Sequence, residues 1–167
     1  MKVFIVNGSP GVGKSSFEGF ARDIIGEEKV EIYSTIDYVK EVAKFCGWNG
    51  EKDLESRAFL SEMKRALTLW RDIPVQKTLE VARKASKEGK VAMFVDCREP
   101  QEIHRLCKIL EGTAVIVRKT DFNPETSNYS DMAVNDAVYD VEIWNDGDLH
   151  DLKVATLEFC KEFRLVG

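Results

Sequence analysis

Gly8-Ser9-Pro10-Gly11-Val12-Gly13-Lys14-Ser15 is the stretch that decides the fold. It matches the pattern G-x-x-x-x-G-K-[ST] at every fixed position, and it lies between an apolar stretch, Lys2 to Asn7, and an amphipathic segment. Glycines at this spacing let consecutive backbone N–H groups turn toward a phosphate, and the N-terminus of the next helix adds partial positive charge. The stretch therefore predicts a phosphate-binding loop between a strand and a helix.

The residues of this loop have separate expected roles. We expect the Lys14 side chain to face solvent when no nucleotide is bound and to reach the β- and γ-phosphates of ATP when one is. The hydroxyl of Ser15 is expected to ligate Mg²⁺. The remaining nucleotide contacts are assigned to Gly8, Ser9, Pro10, Gly11, Val12, Gly13 and Ser16. ATP and Mg²⁺ are thus the expected cofactors.

Outward from the loop, short aliphatic runs alternate with segments of helical periodicity. After Lys2 to Asn7, further strands are predicted at Val30 to Ser34, Val91 to Asp96, Thr113 to Arg118 and Tyr139 to Trp144. Alternation of nearly continuous apolar strands with helices is what a parallel sheet covered on both faces requires. The predicted class is α/β.

Apolar stripes and proline or glycine boundaries place the helices between these strands. Pro74 and Gly89 mark the ends of one helix, from about 73 to 87, and Pro100 and Gly112 bracket another. Two core-facing stripes are predicted from helical spacing, one of Phe17, Phe20, Ala21 and Ile24, the other of Phe59, Met63, Ala66, Leu67 and Trp70. We also expect all three tryptophans, Trp48, Trp70 and Trp144, to belong to the core.

Composition limits the function classes. The 167 residues contain no repeat or linker, so one domain spanning residues 1–167 is predicted, and the net charge of -5 argues against nucleic acid or an anionic membrane as partner. No apolar run approaches the roughly 20 residues that span a bilayer, so a cytoplasmic location is expected. The cysteines form no C-x-x-C pair and, with the two histidines, no zinc spacing, so reduced and mostly buried thiols are expected.

The rest of the sequence narrows the kind of phosphate-loop protein. A GTPase needs Asn-Lys-x-Asp for guanine, which is absent, and the D-x-x-G stretch at 23–26 comes too early for a switch segment. A motor ATPase needs a longer chain and a strand ending in two acidic residues, whereas Asp96 is followed by Cys97 and Arg98. A phosphotransferase acting on a small molecule is the reading that fits.

Several motifs together resemble the phage and bacterial deoxynucleoside monophosphate kinases, within the wider nucleoside monophosphate kinase fold. They are the phosphate loop, Asp37 in Ile36-Asp37-Tyr38, Arg57, Asp96-Cys97-Arg98 with the following Pro100, and Asn145-Asp146-Gly147. Tyr38 stands where the family has proline. The resemblance implies strand order 2-3-1-4-5, a monophosphate-binding segment at about 34–75, a lid at about 118–135, and adenine packing near Asn145-Asp146-Gly147.

Basic residues from different segments are the expected tools of phosphoryl transfer. Arg98 follows a buried strand and is a candidate for both catalysis and substrate binding. Arg57 leads Arg65 and Arg71 as the candidate clamp for the acceptor phosphate. Arg118 opens the expected lid and is a further candidate catalytic residue.

Two aspartates and two tyrosines are open to alternative interpretations. Asp37 is either a helix cap or a substrate contact, or both. Asp96 either helps to hold Mg²⁺ or accepts backbone hydrogen bonds at its strand end. One of Tyr33 and Tyr38 is expected to stack on a base.

The leading hypothesis is transfer of the γ-phosphoryl group of ATP to the phosphate of a (deoxy)nucleoside monophosphate. One alternative is a P-loop kinase for another acceptor such as dephospho-coenzyme A, where a hydroxyl must lose a proton and Asp37 would be the base. A third hypothesis is a regulatory module that binds ATP and transfers nothing. The partners expected are small nucleotides; the sequence leaves open the base, the sugar and whether the protein is a monomer or a homodimer.

Overall fold

A computed structural model describes residues 1–121 and 133–167 of the chain. In chain order its elements are β1 (Lys2–Asn7), α1 (Lys14–Ile25), β2 (Val30–Ser34), α2 (Asp37–Phe45), α3 (Leu54–Arg71), α4 (Ile73–Lys87), β3 (Ala92–Asp96), α5 (Pro100–Leu110), β4 (Thr113–Arg118), β5 (Val141–Trp144) and α6 (Leu149–Glu162). Short 3₁₀ turns lie at Glu27–Lys29 and Ala133–Asn135.

The strands form one parallel sheet in the order β2-β3-β1-β4-β5. Both the five strands and this order confirm the prediction. The last predicted strand begins two residues late, at Val141, because just before it the Asp140 side chain, rather than a strand carbonyl, accepts from Ala114 N at 2.8 Å.

Alternating residues of β1 supply the two cores, as the pleat of a strand requires. Phe4 and Val6 face α1 and α6, where Phe4 packs between the rings of Phe94 and Phe159 at centroid distances of 5.1 and 4.9 Å. Val3 and Ile5 face α4 and α5 on the other side. Helices therefore cover both faces of the sheet.

Local signals explain where the helices begin. The Asp53 side chain accepts from Ser56 N at 2.7 Å at the start of α3, and Asp148 and Asp151 form a reciprocal capping box at the start of α6. Proline occupies the first turn of α4 and of α5, as predicted.

The expected apolar stripe of α3 is wrong. The one buried residue of this helix is Lys64, whereas Phe59 is 39% and Trp70 is 68% exposed. The reason is position: α3 packs mainly against α2 and α4 rather than on the sheet, so its apolar residues have no core to enter. Trp144 is also exposed and Trp48 is half-buried, which corrects the expectation that the tryptophans lie in the core.

The four cysteines are thiols, with Cys97 and Cys160 buried, Cys107 half-buried and Cys46 exposed. The burial of Cys97 and Cys160 agrees with the prediction of mostly buried thiols, and the exposure of Cys46 does not. Among the helices of residues 1–121 and 133–167, none combines the length and apolar character needed to cross a membrane.

Candidate active site

The phosphate loop connects β1 to α1, and its glycines adopt backbone conformations that other residues avoid. Gly8, Gly11 and Gly13 have φ of 150°, 80° and 105°. A Cβ on Gly8 would lie 2.6 Å from the carbonyl oxygen of Val117 in β4. The loop is therefore packed against the neighbouring strand as well as turned sharply.

Two asparagines hold the loop from either end. Asn7 Oδ1 accepts from Gly8 N at 2.8 Å, and Asn145 Nδ2 donates to the Val12 carbonyl at 2.9 Å. Asp146 accepts from Thr120 N and Oγ1 at 2.6 and 2.9 Å. The turn that the resemblance places beside adenine is thus also a support for the phosphate loop, and its contact with adenine stays a prediction.

The Lys14 side chain does not face solvent, contrary to expectation. It is 8% exposed, and Nζ donates to the Gly8 carbonyl at 2.8 Å. A shielded ammonium needs an oxygen partner, and the first carbonyl of its own loop supplies one. This places the charge of Lys14 inside the loop, where phosphate oxygens would lie.

A cleft of about 440 Å³ opens beside the loop, at the carboxyl ends of β2 and β3. This is the position where doubly wound sheets bind their ligands, and the volume suits a small molecule. The cleft brings together five of the predicted site residues, from the loop, α3 and the end of β3: Pro10, Ser15, Arg57, Asp96 and Arg98.

The wall of the cleft carries more cations than acids. The cationic residues are Lys40, Lys52, Arg57, Lys64 and Arg98, and the acidic ones are Glu51, Asp96 and Glu99. Such a wall suits an anionic ligand. Trp48 and Leu60 add apolar surface for its uncharged part.

Ser15 and Asp96 offer the donors that Mg²⁺ prefers, a hydroxyl and a carboxylate oxygen. Both line the cleft, and Asp96 Oδ1 is buried without a hydrogen-bond partner among the described residues. A buried polar atom without a partner calls for an explanation, and a bound cation is one that suits a carboxylate oxygen. The donors and this oxygen fit a magnesium ion.

Glu18 is a carboxyl group that the sequence analysis missed. It is 5% exposed on α1, and its Oε1 also has no hydrogen-bond partner among the described residues. Burial and the nearby Asp96 raise the pKa of Glu18 to about 8, although Lys14 acts in the opposite direction. Its spacing of four residues from Lys14 was the available signal, since that spacing puts both side chains on one helix face.

Asp37 and Arg118 do not themselves line the cleft and are bonded to other protein groups, in the case of Asp37 to Ser34 and Lys40 of the cleft wall. Asp37 accepts from Ser34 N at 2.8 Å and from Lys40 Nζ at 3.3 Å, so it connects the end of β2 to the start of α2. Arg118 pairs with Glu142 at 2.9 Å and donates to Asn135 Oδ1 at 2.8 Å. Their roles toward substrate stay predictions, and 122–132 of the expected lid lie outside the described residues.

The expected base-stacking tyrosines do not line the cleft either. Tyr33 packs half-buried against the core on the α4 side, and the Lys77 ammonium lies 5.0 Å from the ring centroid of Tyr38. Trp48 is the aromatic side chain in the cleft wall.

A buried ionic cluster forms the floor of the cleft and was also missed. Lys64 Nζ of α3 donates to Glu102 Oε2 at 2.7 Å, to Thr35 Oγ1 at 3.0 Å and to Glu99 Oε2. The Cys97 thiol donates to Glu102 Oε2 at 3.3 Å. Cys97, Glu99 and Glu102 lie close enough to share a metal, but the Lys64 ammonium already bridges the two carboxylates.

The order of the parallel sheet, with a phosphate loop after its first strand, is the fold of the P-loop kinases. A solved dephospho-CoA kinase from Campylobacter jejuni is similar to this chain, with a TM-score of 0.54, 17% sequence identity, and 96% of each chain covered. No family model matches the sequence. No curated protein matches it.

Proposed function

We propose that this protein is an ATP- and Mg²⁺-dependent phosphotransferase whose acceptor is the phosphate of a (deoxy)nucleoside monophosphate. One observation carries the proposal: Pro10 and Ser15 of the phosphate loop share a single cleft with Arg57 and Arg98. A donor phosphate in the loop and an acceptor anion at the arginines would therefore be neighbours, as direct in-line transfer requires.

The donor side is supported by the loop. Its N–H groups and the N-terminus of α1 suit the phosphates of ATP, and Lys14 supplies a cation beside them. Ser15 and Asp96 would hold Mg²⁺, which neutralises charge on the transferred phosphoryl group when bound.

The acceptor side is supported by the cationic wall. Arg57 on α3 and Arg98 after β3 approach the cleft from two elements, and a guanidinium can bind phosphate through two parallel N–H donors. A phosphate acceptor is already ionised and needs no strong general base. Alignment and charge stabilisation are then sufficient chemistry for the site.

Dephospho-coenzyme A is the second candidate acceptor, favoured by the solved structure of similar fold. Its hydroxyl would need a base. Asp37, the base expected for that reaction, bonds to Ser34 N and Lys40 and is absent from the residues that line the described cleft. Both oxygens of Asp37 already accept hydrogen bonds from these two groups, which favours an acceptor that needs no base.

The deciding experiment is a coupled assay of ADP release with every ribo- and deoxynucleoside monophosphate and with dephospho-coenzyme A. Turnover with monophosphates supports the proposal, and turnover with dephospho-coenzyme A alone replaces it by the second candidate. ATP binding without turnover on any acceptor supports the regulatory module instead. Lys14→Ala serves as the inactive control.

A further inference from the structure

The ammonium of Lys64 is fully committed to protein oxygens. An ammonium group has three donors, and Lys64 Nζ has three acceptors, on Thr35, Glu99 and Glu102. Lys64 is only 7% exposed, although it contributes to the cleft wall. The protein therefore holds the Lys64 side chain in place below the cleft, and we do not expect this residue to bind a phosphate.

The two carboxylates that accept from Lys64, those of Glu99 and Glu102, differ in their exposure. The Glu102 side chain is 5% exposed, whereas the Glu99 side chain is 30% exposed and lines the cleft. Burial opposes ionisation of Glu99, but the Lys64 ammonium outweighs it and lowers the pKa of Glu99 to about 2. Glu99 is therefore ionised, and its contact with Lys64 fixes its position at the cleft wall.

A carboxylate in this position selects for hydrogen-bond donors. An ionised carboxylate accepts through about four lone-pair sites, so a carboxylate that is held by protein donors can still accept from a ligand. It would repel a phosphate, whereas the cations of the same cleft, Lys40, Lys52, Arg57 and Arg98, would attract one. The wall as a whole matches a molecule with an anionic end and an N–H or O–H donor some distance from it.

We propose that Glu99 is a specificity-determining residue, which accepts a hydrogen bond from an amino or hydroxyl group on the base or sugar of the acceptor, and that Lys64 is the positioning residue that holds it. This inference rests on the proposed function and narrows its substrate class. The chemistry is shared by an exocyclic base amino group and a sugar hydroxyl, and the test separates the two.

Acceptor pairs that differ in one donor test the proposal. GMP and IMP, or AMP and the monophosphate of purine riboside, differ in one amino group, and each ribonucleotide differs from its deoxy form in one hydroxyl. The wild-type enzyme should favour one donor-bearing series. Glu99→Gln should lower kcat/KM for the favoured member by roughly 10- to 100-fold and hardly change it for the member without that donor, because only the first loses a charge-assisted hydrogen bond.

Glu51→Gln is the matched control, because it removes one negative charge from another wall of the same cleft. It should leave the preference unchanged. Lys64→Gln should lose the preference through acceptor KM rather than kcat, and adding Glu99→Gln to it should cause no further loss. A thermal unfolding scan of each variant identifies a folding defect; the Glu99→Gln comparison stands without the Lys64 variant.

The outcomes separate this inference from the proposed function. Turnover of monophosphates with the same donor preference in wild type and Glu99→Gln overturns the role of Glu99 and leaves the proposed function intact. Equal losses on both members of every pair, or equal effects of Glu51→Gln, also overturn it, because general electrostatics would then explain the result. No turnover of any monophosphate by the wild type overturns both.

Discussion

At the scale of single residues, the phosphate loop and the helix α1 that follows it contain two ionisable side chains that are buried, although such side chains are usually exposed to solvent. Lys14 is shielded, and Glu18 is a carboxyl group enclosed beside Asp96 with an unsatisfied oxygen. Charged groups are seldom buried without a purpose, since burial costs several kcal/mol of solvation. Glu18, with a pKa of about 8, is therefore mostly protonated and neutral at pH 7.

Glu18→Gln tests this cost. Because the pKa of Glu18 rises from 4.5 in a solvated chain to about 8 in the fold, the native state holds a proton that the unfolded state releases between these values. The free energy of unfolding should therefore fall as pH rises from about 4.5 to 8, by on the order of 2–4 kcal/mol from this group. The variant should flatten that decline, as measured by urea unfolding in metal- and nucleotide-free buffer.

Asp23→Asn is the control for that experiment, because Asp23 lies exposed on the same helix. It should leave the pH dependence as in the wild type. An identical slope in Glu18→Gln and wild type would show that Glu18 is solvated or paired in solution.

Gly13→Ala tests the loop backbone. A Cβ there would lie 2.5 Å from Asn145 Nδ2, and φ is 105°, so we expect a loss of stability of at least about 1 kcal/mol together with weaker ATP binding. Gly19→Ala is the matched control, since α1 has open space at that position, and it should stabilise by about 0.5–1 kcal/mol. Chemical unfolding and calorimetric ATP titration measure both effects. Unchanged ATP affinity in Gly13→Ala would mean that the loop adapts to nucleotide from another conformation.

At the scale of elements, Arg57 and Arg65 of α3 are one type of residue in two environments. Arg57 reaches the cleft, whereas Arg65 pairs with Glu62 in solvent at 2.9 Å. Arg57→Lys keeps the charge but loses the two-donor fork, so acceptor KM should rise by roughly 5- to 100-fold with ATP affinity unchanged. Arg65→Lys should change neither quantity. Steady-state kinetics with saturating ATP measure this, and equal KM values for both variants would remove Arg57 from the acceptor site.

The sequence predicted those elements whose periodicity and boundaries agree with their packing. Apolar runs predicted the strands, and proline and glycine predicted the bounds of the helices that begin at Ile73 and Pro100. These predictions were confirmed because both helices pack on the sheet that the apolar strands form. The prediction of a core-facing stripe on α3 was wrong because helical periodicity shows that a helix has an apolar face but does not show whether a hydrophobic core lies opposite that face. Lys64 was missed for the converse reason: a lysine on a helix is ordinarily solvated, and its carboxylate partners are 35 and 38 residues away.

The sequence predicted those site residues that are close together in the chain better than those that only the fold brings together. The loop from Gly8 to Ser15 is local in sequence, so its spacing alone predicted a phosphate-binding loop between β1 and α1. Arg98 was found from its position after a buried strand as well as from the family resemblance, whereas Arg57 needed the resemblance, because it is distant in sequence from the loop and from Arg98. Glu18, Lys64 and Glu99 depend on burial, which no single-residue pattern expresses.

At the scale of the whole molecule, the parallel sheet places the ends of β1, β2 and β3 at one edge, so the loop and the segment at 34–75, which we propose binds the acceptor, open into the same cleft. If donor and acceptor occupy neighbouring positions there, a compound that joins adenosine to a second nucleoside through five phosphates should fill both at once. Linking two ligands makes the second binding step intramolecular. The linked compound should therefore raise Tm more than saturating ATP and monophosphate added together, by mass action on a much lower Kd.

Lys14→Ala and Arg57→Lys make this prediction specific to the two ends of the cleft. Each variant should lose most of the additional Tm increase from the linked compound, because each removes one end of its binding site. Arg57→Lys should retain the shift caused by ATP alone, whereas Lys14→Ala should lose it. A linked compound that stabilises the wild type no more than ATP would mean that the acceptor binds away from Arg57 and Arg98, so that transfer would first need a movement of α3 relative to the sheet.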